Sequence, residues 1–194
     1  MANNYDWTKS FPVDFSLVTG LSKTAESSKR YLSGVKNMFL DREAADETLK
    51  DSDPLVYEFY ELGVPEDAGD VAAGTSICYP GKVGNEYFMT KGHFHTIEMT
   101  AEVYYTLSGE GYMLTENAAG DWAAHKLDAG KMVYVPKGYA HRSINTGNVP
   151  LVTFFAFRGD AGHDYGTIEE KGFRKLIVEQ NGKPSIIDNP KWQS

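Results

Sequence analysis

"GKMVYVPKGYAHRSIN", residues 130–145, reads as two short strands around a reversal. "KMVYVP" is rich in Val and Tyr, and "PKGYA" offers Pro136 and Gly138 to turn the chain back into "HRSINTG". The same texture extends outward from this stretch. From Pro54, "LVYEFYEL", "GTSICYPG", "EYFMTKGHFH", "AEVYYTLSG", "GYMLTEN", "WAAHKL" and, further on, "PLVTFFAF" are short, rich in Val, Tyr, Phe and Thr, and divided by Gly, Pro and Asn turns. Many strands at this spacing imply an all-β antiparallel sandwich or barrel. Near the end, "KLIVEQNGKPSIID" sets Asn181-Gly182 between two apolar runs, the strongest short-range hairpin signal.

Ahead of Pro54 the texture differs. Residues 1–20 read as extended, with Pro12 and Gly20 as punctuation. Residues 24–34 and 41–50 have few β-branched residues and early acids, and they predict two short helices. The expected organisation is one structural domain, with an N-terminal extension over 1–52 packed on a β-barrel over 53–194. The 194 residues, 41% hydrophobic and 24% charged, suit a soluble globular protein with a sizeable core. A net charge of -8 argues against nucleic acid as a partner, because no basic field meets a phosphate backbone. It still allows a small phosphorylated ligand held by a few local groups.

The lone Cys78 excludes an internal disulfide and reads as a small core hydrophobe in a strand. The N-terminus lacks the basic start and apolar stretch of a signal peptide, and "PLVTFFAF" is far too short to span a bilayer. No membrane association is expected, and the expected location is the cytoplasm.

"KGHFHTIEMTAE", residues 91–102, carries the chemistry. On a strand, His93 and His95 would project to one face side by side, as metal ligands do. Such a pair alone is more often two ordinary histidines. Two longer patterns raise its weight. "EVYYTLSG" runs from Glu102 to Gly109, and the opening stretch spaces Gly130, Pro136, Gly138, His141 and Asn145. Both resemble the two signature motifs of the cupin superfamily, small β-barrels that commonly hold a divalent metal. The second motif matches at every specified position. The first departs twice: six residues separate His95 from Glu102 where three or four are usual, and Tyr87 stands where a glycine is expected.

Spacing favours Glu102 over Glu98 as the acidic ligand. Glu98 falls on the bend between strands and is expected in solvent, whereas Glu102 begins the next strand at the motif's distance from Gly109. Tyr104 and Thr106 share its face. The resemblance then makes His141 the third imidazole, aimed inward by the "PKGYA" turn. Three imidazoles and a carboxylate leave about two open positions on a six-coordinate ion, where a ligand can chelate. His125 matches nothing and reads as a surface residue. His163, in "DAGHDYGTIEEKGF", reads equally well from its surroundings as a loop residue or a functional one.

That segment, with "YPGKVGNEYFMTKGHFH" and the long gap of "HFHTIEMTAEVY", is similar to the cupin-type phosphoglucose isomerases of archaea and bacteria, from about Val56 to Trp192. The resemblance implies a jelly-roll-like barrel, a homodimer, and a divalent ion per subunit, Fe²⁺ first and Mn²⁺, Ni²⁺, Co²⁺ or Zn²⁺ as alternatives. It implies metal ligation by His93, His95, Glu102 and His141. Sugar-phosphate contacts would fall at Tyr57, Ser76, Thr90, Gly92, Tyr104, His163 and Tyr165, with Glu102, His163 and Tyr104 closest to the reaction. Ser76 keeps the hydroxyl of the family's threonine, while Phe157 lacks that of a tyrosine found in relatives. The implied reaction interconverts glucose 6-phosphate and fructose 6-phosphate, with O1 and O2 on the metal and a proton passing between C1 and C2. A hydride shift would use the same metal without the base. The histidines alone also fit a cupin dioxygenase or a non-catalytic sugar-binding cupin. No basic cluster is evident for the phosphate, which would rest on Ser76, Thr90 and the Gly92 amide.

Overall fold

The computed structural model describes residues 5–23 and 27–192. Strand β1 (Ser27–Tyr31) leads into the short helix α1 (Leu32–Val35), a 3-10 turn, and helix α2 (Arg42–Asp51). Strands β2 (Leu55–Glu61), β3 (Val71–Cys78), β4 (Lys82–Val83), β5 (Glu86–Tyr87), β6 (Glu102–Ser108), β7 (Glu110–Asn117), β8 (Trp122–Asp128), β9 (Met132–Val135), β10 (Tyr139–Asn145) and β11 (Leu151–Arg158) follow. Helix α3 (Gly166–Lys171) precedes the hairpin of β12 (Lys175–Gln180) and β13 (Lys183–Asp188).

The strands form a six-stranded sheet in the order β1-β2-β3-β11-β6-β9, a three-stranded sheet β10-β7-β8, and a four-stranded sheet β13-β12-β5-β4. All named pairings are antiparallel. Between β6 and β11 the chain crosses repeatedly between the six-stranded and the three-stranded sheet, the mark of a jelly-roll-like barrel, and it matches the all-β expectation. Val56, Phe155, Met113, Leu114, Leu127 and Ile144 meet in one core drawn from the six-stranded and the three-stranded sheets. Cys78 is part of it, and burial pushes its thiol up to about 12, so it is an inert packing group.

The extension is docked by side chains and by backbone. Leu32, Val35, Phe39 and Ala45 reach the same core. Each of the larger ones contributes about 1.5–3 kcal/mol by burial. Outside the six-stranded sheet, Phe15 packs on Tyr60, Ile77 and Val152, and the Thr75 hydroxyl donates to the Gly20 carbonyl at 2.6 Å. Helix α2 starts where the sequence predicts, with the Asp41 carboxylate accepting from the Ala44 amide at 2.9 Å.

The helix expected over 24–34 is a correction. Residues 24–26 lie outside the described residues, Ser27–Tyr31 is strand β1, and helix begins only at Leu32. Pairing with β2 from Ser27↔Tyr60 to Tyr31↔Leu55 gives this backbone a ladder that outweighs local propensity. The terminal hairpin is as expected: Asn181 and Gly182 take φ of 53° and 72°, a type I′ turn.

Gly74 shows how tightly β2, β3 and β11 are layered. A Cβ there would lie 1.8 Å from the Tyr60 carbonyl oxygen and 2.9 Å from the Phe155 ring. Gly74→Ala is expected to destabilise the protein by about 3 kcal/mol or more, at the top of the range for overpacking, because backbone must yield. A denaturant midpoint unchanged from the wild type would contradict this packing.

Candidate active site

Four ligand atoms converge from three parts of the chain. Glu102 opens β6, His141 lies on β10 in the facing sheet, and His93 and His95 come from the segment between β5 and β6. One ligand atom from each falls within 4.8 Å of the others. That segment is a second correction: "EYFMTKGHFH" is not one strand but β5 followed by single bridges, Met89↔Ile144, His93↔His141 and Phe94↔Asp164. Gly92 interrupts it with φ of 74°, and a Cβ would meet the Phe173 ring at 2.7 Å and the His141 carbonyl at 2.8 Å. Only glycine fits this crossing. The two rings still sit together, their centroids 5.2 Å apart.

The contacts within the cluster call for a cation. His95 Nδ1 lies 3.2 Å from the Gly162 carbonyl, to which it can only donate. In the neutral ring, Nε2 then carries a lone pair, yet it faces Glu102 Oε2 at 3.1 Å. His141 Nε2 approaches the same oxygen at 2.9 Å. Ligand atoms about 2.1 Å from a shared ion and at right angles would be about 3.0 Å apart, so these separations suit one. His93 Nε2, Glu102 Oε1 and both His141 ring nitrogens are buried without hydrogen-bond partners. Burial raises the Glu102 carboxyl, but His141, His95 and His93 outweigh it and hold the group well below the usual carboxylate range. Burial and the neighbouring His141 push His93 well below the ordinary imidazole value. An ionised carboxylate and unprotonated imidazoles are the forms that bind a metal. Glu98 is exposed on a turn, away from the cluster, and His125 is exposed on β8.

The cluster opens into a cleft. Tyr57, Ser76, Thr90, Gly92, Tyr104, His163 and Tyr165 all line it. Strand β10 templates one wall residue by residue. His141 donates its amide to the His93 carbonyl at 3.2 Å, while the Thr90 amide donates to the Ser143 carbonyl at 2.9 Å. The Ser143 amide also donates to Thr90 Oγ1 at 3.0 Å, which leaves that hydroxyl's proton for the cleft. The exchange of bonds between Phe94 and Asp164, at 2.9 and 2.7 Å, carries the "DAGHDYG" segment over the cluster. His163 accordingly sits 4.3 Å from the His93 ring and stacks on Tyr165 at 6.0 Å. Burial and the nearby His95 lower His163. Burial and the Glu102 charge keep the Tyr104 hydroxyl protonated far above neutrality. Phe157 faces His95 at 5.2 Å and His163 at 5.8 Å, so it contributes an apolar wall and no donor.

Five lining residues escaped the sequence reading: Phe59, Glu61, Lys91, Ser143 and Phe155. Lys91 adds a single cation to a pocket for which the sequence shows no basic cluster. Its ammonium lies 4.2 Å from the centre of the Tyr165 ring and pairs with Glu169 on α3. Behind it the buried Arg142 guanidinium donates to the Lys91 carbonyl and lies 4.4 Å from the Phe173 ring. Burial lowers Arg142 to about 10, still a cation at neutral pH. Lys91 could have been found from its place between Thr90 and Gly92. Nothing local marks Glu61 or Phe155, which barrel closure brings to the cleft.

Comparison with known proteins gives a consistent result. The family model described as glucose-6-phosphate isomerase (GPI) matches residues 29–193. A glucose-6-phosphate isomerase from Thermococcus litoralis is 47% identical over 183 residues, covering 94% of this chain and 96% of that protein. One from Pyrococcus abyssi is 45% identical over 182 residues, with 94% and 95% covered. A bacterial one from Sinorhizobium medicae is 37% identical over 155 residues, with 78% and 72% covered. Matched along nearly its whole length, the chain belongs to the glucose-6-phosphate isomerase family.

Proposed function

We propose that the protein is an aldose–ketose isomerase that interconverts glucose 6-phosphate and fructose 6-phosphate at a divalent metal centre held by His93, His95, Glu102 and His141. The carrying observation is the buried group of four ligand atoms at the floor of a hydroxyl-lined cleft. When bound, the ion supplies Lewis acidity to the substrate carbonyl. Fe²⁺ is the favoured ion, with Mn²⁺, Ni²⁺, Co²⁺ and Zn²⁺ compatible with the same donors. We assign the protein to the cytoplasm, to glycolysis and gluconeogenesis, and to a homodimer of single-domain subunits, each a barrel over 53–194 with 1–52 packed on it.

Glu102 is the base of this proposal. Its carboxylate is ionised and next to the carbons that exchange the carbonyl, so it can take a proton from one and return it to the other. Tyr104 and His163 hold sugar hydroxyls on either side, Tyr104 as a donor. Tyr57, Ser76, Thr90, Lys91 and the Gly92 amide receive the phosphate. The family assignment favours isomerisation over the oxygen chemistry that a histidine-rich cupin site also allows. Conversion of fructose 6-phosphate to glucose 6-phosphate, coupled to a dehydrogenase, tests this directly, and no turnover by metal-loaded protein would refute it.

The phosphate end has its own expected outcome. Ser76→Ala with Thr90→Val removes two hydroxyl donors to a charged group, each worth about 1.5–3 kcal/mol. KM for fructose 6-phosphate should rise by about a hundredfold or more, with kcat changed by a few-fold, because these bonds lie away from the reacting carbons. An unchanged KM would place the phosphate elsewhere.

A further inference from the structure

Glu61 lines the cleft yet has no role in the reaction described above. It shares the inner face of β2 with Tyr57 and Phe59, since alternate residues of a strand point the same way. Among the described residues no hydrogen bond or ion pair reaches its carboxylate. A half-buried carboxylate with no donor, facing a ligand cavity, is an obstacle to a ligand's anions.

Strand register gives its place. Glu61 is opposite Gly74, Gly74 is opposite Phe155, and Phe155 is opposite Tyr104. The neighbouring row, two residues along, contains Ala72, Phe157 and the metal-ligand candidate Glu102. Glu61 is therefore one row from the level of Glu102. Tyr57, opposite Cys78, lies two rows further in the other direction, about 13 Å from Glu61 along an extended strand.

Charge follows the same axis. Besides burial, the Tyr57 hydroxyl feels the cations Arg30 and Arg142 and meets the Lys91 amide. Arg30 is its partner across the β1–β2 ladder. At the other end, burial raises the Glu61 carboxyl, and the carboxylates of Glu102 and Glu66 raise it further. A second phosphate entering there would meet the same field.

We infer that Glu61 gives the cleft its polarity: it excludes phosphate from the carbonyl end and so makes the enzyme selective for monophosphates over 1,6-bisphosphates. The inference rests on the isomerase reading and on its placing of the phosphate at Tyr57, Ser76, Thr90 and Lys91.

Calorimetric titration of the metal-loaded enzyme with fructose 1,6-bisphosphate and with fructose 6-phosphate tests it, in the wild type, Glu61→Gln and Glu61→Asp. Glu61→Gln should bind the bisphosphate at least tenfold more tightly, while fructose 6-phosphate affinity moves less than threefold. Glu61→Asp keeps the charge and should keep the wild-type discrimination. Unchanged bisphosphate affinity in Glu61→Gln would overturn the inference, as would an equal gain for both ligands or loss of discrimination in Glu61→Asp. A wild type that neither binds nor isomerises fructose 6-phosphate would instead sink the isomerase reading itself.

Discussion

Stripped of divalent metal by EDTA, the protein should lose all measurable isomerisation of fructose 6-phosphate, and Fe²⁺, Mn²⁺ or Ni²⁺ should restore it. Without a cation, Glu102 Oε2 faces the lone-pair nitrogen of His95 at 3.1 Å, and His93 Nε2 and His141 Nδ1 lack hydrogen-bond partners. Among the described residues no other group near the carbonyl end offers comparable polarisation, since Tyr104 is held protonated and neutral and His163 is pushed toward its neutral form. The same ion should stabilise the fold, because a ligand that binds only the native state at a hundred times its Kd contributes about 2.7 kcal/mol. For a chain of this size that is a rise in Tm of about 5–10 °C. Calorimetry with and without Mn²⁺, beside the activity assay, separates loss of chemistry from loss of structure. Full activity in protein shown by elemental analysis to hold no metal would end this mechanism.

Where a local pattern had one structural solution, it was legible in the sequence. Asn181-Gly182 needs two positive-φ residues, and the hairpin formed there. Asp41 caps a helix, and the Pro136–Gly138 reversal delivers His141 to the cluster. The assignment of Glu102 over Glu98 also agrees with the geometry, since Glu102 is buried among the imidazoles and Glu98 is exposed. What failed was what only the closed barrel decides. Ser27–Tyr31 has the composition of a helix, but an open sheet edge beside β2 made it a strand. His93 and His95 were expected on one regular strand. The segment is instead held by single bridges, His93 to β10 and Phe94 to Asp164, with Gly92 breaking the ladder between Thr90 and His93. Lys91 and Glu61 are the instructive misses. Each is an ordinary charged residue by its neighbours, and only curvature turns it toward the cleft.

Glu102→Gln should lower kcat by about 10²–10⁴-fold, the range for loss of a general base, while the near-identical Glu98→Gln stays within about twofold of the wild type. The amide is isosteric, so the barrel survives, but it cannot accept a proton and ligates weakly. It also removes the charge that lets three imidazoles and a cation share one buried space. Metal affinity should accordingly fall at least tenfold, and saturating Mn²⁺ should recover occupancy without recovering the rate. That split separates the two jobs of the residue: if added metal restores kcat fully, Glu102 is a ligand only and the hydrogen moves between C1 and C2 as a hydride. Glu98 provides the internal control, because its carboxylate is in solvent and only its backbone carbonyl is used, accepting from the Gly138 amide at 2.9 Å. Should Glu98→Gln prove the damaged variant and Glu102→Gln the silent one, the buried cluster described here would not be the reacting centre.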